Sequence, residues 1–151
     1  MRLAIVAVGR NKAGPLREIE QFYAGRVLYP LTLVEVEEKR KLPPAELKLR
    51  EAALLLDAVP KGAVIVALDR RGAALSSEAF AQRLGAWRDG GTDLAFLIGG
   101  AEGLAESALE RAQLVLSFGA MTWPHLFARA MLLEQLYRAQ QILAGHPYHR
   151  G

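Results

Sequence analysis

The sequence predicts an α/β protein, an open and mostly parallel sheet of five or six strands with flanking helices. Two observations carry that prediction. Short apolar runs alternate with helical patterns from end to end, and the runs over 63–68 and 94–98 are continuously apolar. A parallel strand covered on both faces has that composition. No linker, repeat or low-complexity stretch breaks the alternation, so residues 1–151 are expected to form one domain.

Leu3 to Val8 reads as the first strand. Residues 15–26 follow as a helix, with Pro15 at its start, where a missing N–H costs nothing. Leu31 to Val36 alternates apolar and polar, the pattern of a strand near a sheet edge with one face exposed. A helix over 45–59 enters through Pro43 and Pro44 and stops at Pro60 and Gly62. After the strand at 63–68, Ser76, Ser77 and Glu78 can cap a helix running to Arg88, which Asp89, Gly90 and Gly91 close. Leu94 to Ile98 is the next buried strand, 106–113 a short helix and 114–118 the last strand. The final helix, from about His125 to Leu143, is apolar around much of its circumference. Such a helix lies either in the centre of a core or at a subunit interface. In a chain of 151 residues the interface is the better expectation. Within this helix Glu134 and Arg138 have the i,i+4 spacing of a local ion pair.

Composition excludes several classes. Hydrophobic residues make up 52% of the chain, yet no apolar run reaches the roughly 18 residues of a membrane span. The opening apolar run is too short for a signal peptide. Without cysteine there is no disulfide, thiolate zinc site or cysteine nucleophile. A soluble, cytoplasmic protein is expected. The net charge of +3 is unevenly spread, with 13 Lys and Arg against 9 Asp and Glu in residues 1–75, and 6 against 7 in residues 76–151. A basic half suits a polyanion and equally suits a solvated surface, so charge leaves both readings open.

In open α/β sheets, ligands bind at loops leaving the carboxyl ends of strands. Three such loops stand out, over 68–72, 98–103 and 118–124. The dinucleotide fingerprint, the Walker sequence and the serine-hydrolase elbow are all absent. All three histidines, His125, His146 and His149, fall in the last 27 residues. His146 and His149 make a poor metal pair, because Pro147 breaks any helix between them, and no metal is expected. Asp69 and Glu102 are candidates for carboxylate chemistry. A turn cap for Asp69 and a favourable place near a helix start for Glu102 explain them equally well. His125 follows Pro124 at a helix N-terminus, which disfavours its protonation; a structural role is the simpler expectation there.

Four segments carry a resemblance: Leu97-Ile98-Gly99-Gly100-Ala101-Glu102-Gly103-Leu104, Met121-Thr122-Trp123-Pro124-His125, Glu134-Gln135-Leu136-Tyr137-Arg138-Ala139 and His146-Pro147-Tyr148-His149-Arg150. In this order the chain resembles the ribosomal RNA large subunit methyltransferase H family, of the SPOUT class. The resemblance implies a C-terminal trefoil knot, a homodimer and the cofactor S-adenosyl-L-methionine. It implies methylation of N3 of a pseudouridine in helix 69 of 23S rRNA, on the assembled ribosome. Carried onto this chain, it implies a cofactor site at Leu68, Gly100, Gly119, Ala120, Met121, Thr122, Trp123 and Pro124. It also implies a catalytic tail of Tyr148, His149 and Arg150 near the cofactor of the partner subunit. There, either His149 helps remove the N3 proton or Arg150 stabilises the developing anion. Gly119 and Trp123 depart from the serine and leucine common in the family.

Overall fold

The computed structural model describes all 151 residues. Five strands, β1 (Leu3–Val8), β2 (Leu31–Val36), β3 (Val64–Ala73), β4 (Leu94–Ile98) and β5 (Leu114–Leu116), form one sheet in the order β2-β1-β4-β3-β5. Every pairing is parallel. The helices are α1 (Pro15–Ala24), α2 (Pro44–Asp57), α3 (Ser77–Asp89), α4 (Glu106–Arg111) and α5 (His125–Leu143). No helix is long and apolar enough to cross a membrane.

Hydrophobic alternation explains the layers. Odd positions of β1, Leu3, Ile5 and Ala7, join Phe96 of β4 beneath α3 and α5, where Leu84, Leu132, Leu133 and Leu136 fill the core. Even positions, Ala4, Val6 and Val8, face the other side, where Ala52 and Leu55 of α2 and Ala108 of α4 cover them. Period-two side-chain alternation thus serves two cores at once, which is why β1 and β4 are buried at every residue. β2, with its alternating pattern, is an edge strand. Ser76 caps α3 by accepting the amide of Ala79 at 3.0 Å.

The strand ends differ from expectation in two places. β3 does not stop at residue 68. Leu68 and Ala73 both stand opposite Leu116, so residues 69–72 bulge out of the ladder between them. Gly72 permits this, since a Cβ there would collide with the carbonyl of Val115. β5 ends at Leu116 rather than 118, because Ser117 turns its hydroxyl to the carbonyls of Arg70 and Gly119.

Candidate cofactor cleft and C-terminal tail

The carboxyl ends of β3, β4 and β5 open into a cleft of about 600 Å³. That volume suits a nucleoside-sized ligand. Leu68 of β3, with Asp69 and Arg70 of its bulge, forms one wall, and residues 98–104 after β4 form a second. The loop after β5, with Phe118, Gly119, Met121, Thr122, Trp123 and Pro124, forms a third, and His125 and Ala128 continue it into α5. Of the eight positions expected to hold cofactor, seven line the cleft; Ala120 does not.

Local chemistry explains the shapes of these loops. Gly99, Gly100 and Gly103 make a tight turn in which the Gly103 amide donates to the Gly100 carbonyl at 3.0 Å. A Cβ on Gly99 would lie 2.7 Å from the backbone of Gly103. A Cβ on Gly100 would point away from the sheet end into Val8, 2.9 Å away, and toward the carboxylate of Glu51 at 3.3 Å. The bareness of Gly100 therefore serves packing beneath the loop. Gly119 has φ of 110°, a backbone region that a serine would enter only with strain. Its amide donates to Ser117 Oγ, and the four amides that follow, Ala120 to Trp123, donate to no group of the chain.

Electrostatics are mixed. Arg71 donates from its amide and its guanidinium to Asp69, which holds that carboxyl below its usual range and ties it to the bulge. Burial raises Glu51, and the nearby charge of Glu102 raises it further. Its Oε1 is sealed from solvent without a partner. Burial and the adjacent Arg129 both push His125 below the ordinary histidine value, so the ring is neutral at pH 7.

The tail lies away from the cleft, against α5 and the start of α3. Tyr148 packs edge-on against Tyr137, with centroids 4.7 Å apart, and its hydroxyl donates to Glu134 Oε1 at 3.0 Å. Glu134 also accepts from Arg138, the i,i+4 pair its spacing suggests. Burial and Glu134 push the Tyr148 phenol up to about 12, which leaves it a donor rather than a base at pH 7. Arg138 lies 3.0 Å from His149 Nδ1, and Glu78 Oε1 lies 2.6 Å from Nε2. An arginine can only donate, so Nδ1 accepts and the ring proton sits on Nε2. Arg150 is exposed. None of the three lines the cleft.

A buried ionic cluster escaped the sequence reading. Arg129 is fully buried, and its guanidinium reaches Glu35 at 2.5 Å, Glu20 at 3.5 Å and the carbonyls of Val8 and Gly9 at 3.3 and 2.9 Å. Asn11 donates its amide to Glu35 and its side chain to Glu20. The cluster locks the loop after β1 to the first turns of α5.

A parallel sheet with a cleft of free amides at its carboxyl end defines an α/β protein with a candidate ligand site at its strand ends, and similar proteins narrow the class. Residues 1–149 match the family described as "Predicted SPOUT methyltransferase"; the chain belongs to that family. It is 61% identical over 152 residues, and over the full length of both chains, to the ribosomal RNA large subunit methyltransferase H of Rhodospirillum centenum. The protein of that name from Paramagnetospirillum magneticum is 56% identical over 151 residues, with 99% of each chain covered. Among solved structures, a probable methylase family protein from Haemophilus influenzae superposes with a TM-score of 0.63. It is 14% identical, with 99% of this chain and 70% of that one covered. The SpoU methyltransferase AviRb from Streptomyces viridochromogenes, in complex with AdoMet, gives 0.52 at 16% identity, covering 93% of this chain and 58% of that one.

Proposed function

We propose that this protein is an S-adenosylmethionine-dependent methyltransferase of large-subunit ribosomal RNA. Its proposed target is N3 of a pseudouridine in helix 69 of the assembled ribosome, within the bacterial cytoplasm. The observation that carries the reading is the coincidence of full-length identity to relatives of that name with a cleft built from the expected loops.

The cleft fits the cofactor. Its volume is right, and Leu68, Met121 and Trp123 offer apolar surface for a purine. The free amides of Ala120 to Trp123 offer donors for the acceptor nitrogens of the purine edge. When bound, S-adenosylmethionine supplies a methyl group on a positively charged sulfur. The residues that would hold it are Leu68, Gly100 and the run from Gly119 to Pro124. Ala120 would contribute through its amide, since it lies off the cleft wall.

The tail is assigned to the reaction across a dimer. Tyr148 orients the segment through Glu134, which leaves His149 and Arg150 at its end. Because these residues sit outside their own cleft, the partner subunit's cleft is the one they are proposed to serve. Phe127 at 45% exposure and Met121 at 76% leave apolar surface beside the cleft for that second copy to cover. We also assign the threaded C-terminal knot of the family to this chain; α5 returning over the sheet after β5 at its edge agrees with it.

The test is transfer of labelled methyl to assembled ribosomes, naked large-subunit rRNA and bulk tRNA, all from cells lacking this gene. Label confined to ribosomes and mapped to one pseudouridine is the expected result. Label in tRNA would keep the class and change the target. Cofactor binding without label anywhere would make the protein a binder rather than an enzyme.

A further inference from the structure

His125 occupies a position that the cofactor loops and the tail do not explain. It is the first residue of α5 and lines the cleft. Its ring stands over the backbone of Gly9, with Cε1 3.2 Å from where a Cβ would be. Gly9 has φ of 94°, a backbone shape that favours glycine, and the ring packs closely over it. The two ring nitrogens have different surroundings. Nδ1 is sealed inside the protein without a partner, whereas Nε2 is open and makes no hydrogen bond within the chain.

The surroundings choose the tautomer. One helical turn along, Arg129 is fully buried, and its Nε is also sealed without a partner. The Arg129 guanidinium is a positive charge acting on the ring, and it favours a lone pair over an N–H on the sealed nitrogen. That places the lone pair on Nδ1 and the proton on Nε2. Glu20, Glu35 and two carbonyls hold that guanidinium, and its charge, in place. The remaining charged groups of the cleft are Asp69 and Arg70 on the β3 bulge and Glu102 on the loop after β4.

We propose that His125 is a catalytic hydrogen-bond donor, presenting Nε2–H to a ring carbonyl oxygen of the target base. This rests on the function proposed above. An imide nitrogen that gives up its proton delocalises negative charge onto the flanking carbonyl oxygens, and a fixed donor at one of them lowers the barrier. A neutral imidazole at a helix N-terminus is suited to that work, since it polarises a carbonyl without itself titrating. The balance of the step leaves His125 unchanged. N3 releases its proton to solvent, the nitrogen–carbon bond forms as the sulfur–carbon bond breaks, and a neutral thioether leaves.

The experiment compares the native enzyme with His125→Phe and His125→Gln. Calorimetry gives S-adenosylmethionine affinity, and single-turnover methylation of ribosomes at saturating cofactor gives the rate between pH 6 and 9. His125→Phe, which keeps the ring and loses the donor, should slow transfer about 100-fold with cofactor affinity within two-fold of native. His125→Gln, which keeps an N–H, should recover at least part of that loss and preserve the shape of the pH profile. Native-like turnover by His125→Phe would overturn the proposal. So would loss of cofactor binding in both variants, which would assign His125 to the cofactor seat or the fold. An acid limb in the native profile that vanishes in His125→Gln would make the ring a proton acceptor and overturn the donor assignment. If the native enzyme binds cofactor but methylates no N3, the underlying reading falls, and this one falls with it.

Discussion

Two buried charged residues have opposite effects on stability. Arg129 is compensated, with two carboxylates and two carbonyls around it. Replacing it, as in Arg129→Met, strands Glu20 and Glu35, and should cost about 3–5 kcal/mol by urea unfolding at pH 7. For Glu35, burial raises the carboxyl, and the bonds from Arg129 and the Asn11 amide lower it by more. Its folded value lies below the unfolded one, so its contribution is complete above the ordinary carboxylate range and fades as pH falls through the lowered value. Glu51 is the reverse. Burial and Glu102 raise its carboxyl, so the folded state binds the proton more tightly and ionisation opposes folding. Glu51→Gln should stabilise the protein by about 1 kcal/mol at pH 7. That gain should shrink as pH falls and vanish once the carboxyl is protonated in both states, as unfolding curves across pH 3–7 would show.

Among the elements, the bulge in β3 connects strand packing to the shape of the cleft. Residues 69–72 leave the ladder so that Leu68 and Ala73 can both meet Leu116, and the excursion carries Asp69 and Arg70 into the cleft wall. Gly72 is the hinge of this arrangement. A methyl group there overlaps the Val115 carbonyl, so Gly72→Ala must push β5 away or flatten the bulge. Overpacking of this kind costs about 1–3 kcal/mol. On the cofactor site proposed above, the cleft wall moves with it, so cofactor affinity should fall together with stability, which calorimetry and thermal unfolding would read in parallel. Affinity preserved in a destabilised variant would separate the bulge from the binding site.

For the whole molecule, the basic half gains definition from its ion pairs. In the run at residues 39–41, Arg40 is bound to Glu38 at 2.6 Å, and Arg50 shares that carboxylate at 3.0 Å. These two arginines hold the Glu38 carboxyl down to about 2. Lys39 and Lys41 have no carboxylate within ion-pair distance and remain available to phosphates. On the function proposed above, replacing both with glutamate should weaken ribosome binding and reduce the slope of log affinity against log salt by about 2. Cofactor binding should be unchanged. Filter binding at several salt concentrations measures both slopes, and unaltered slopes would place the rRNA contact on another face.

Much of this protein was legible from residue order alone. β1, β2, β4 and α5 have the bounds their patterns predict, because alternation and continuous apolarity directly encode which faces are covered. The three loops that line the cleft were legible too, since glycines after buried strands mark where a backbone turns sharply. The β3 bulge was not, because it depends on one leucine of β5 being shared by two residues five apart. Nor was the Arg129 cluster, whose charges come from α1, β2 and α5 and look like solvated surface until the chain is folded. The resting place of the tail was likewise hidden, since Glu78 and His149 are 71 residues apart in the chain. Sequence determined the layers and the loops, which follow from local periodicity. Tertiary structure alone decided which charges are buried together, because burial depends on contacts between segments distant in the chain.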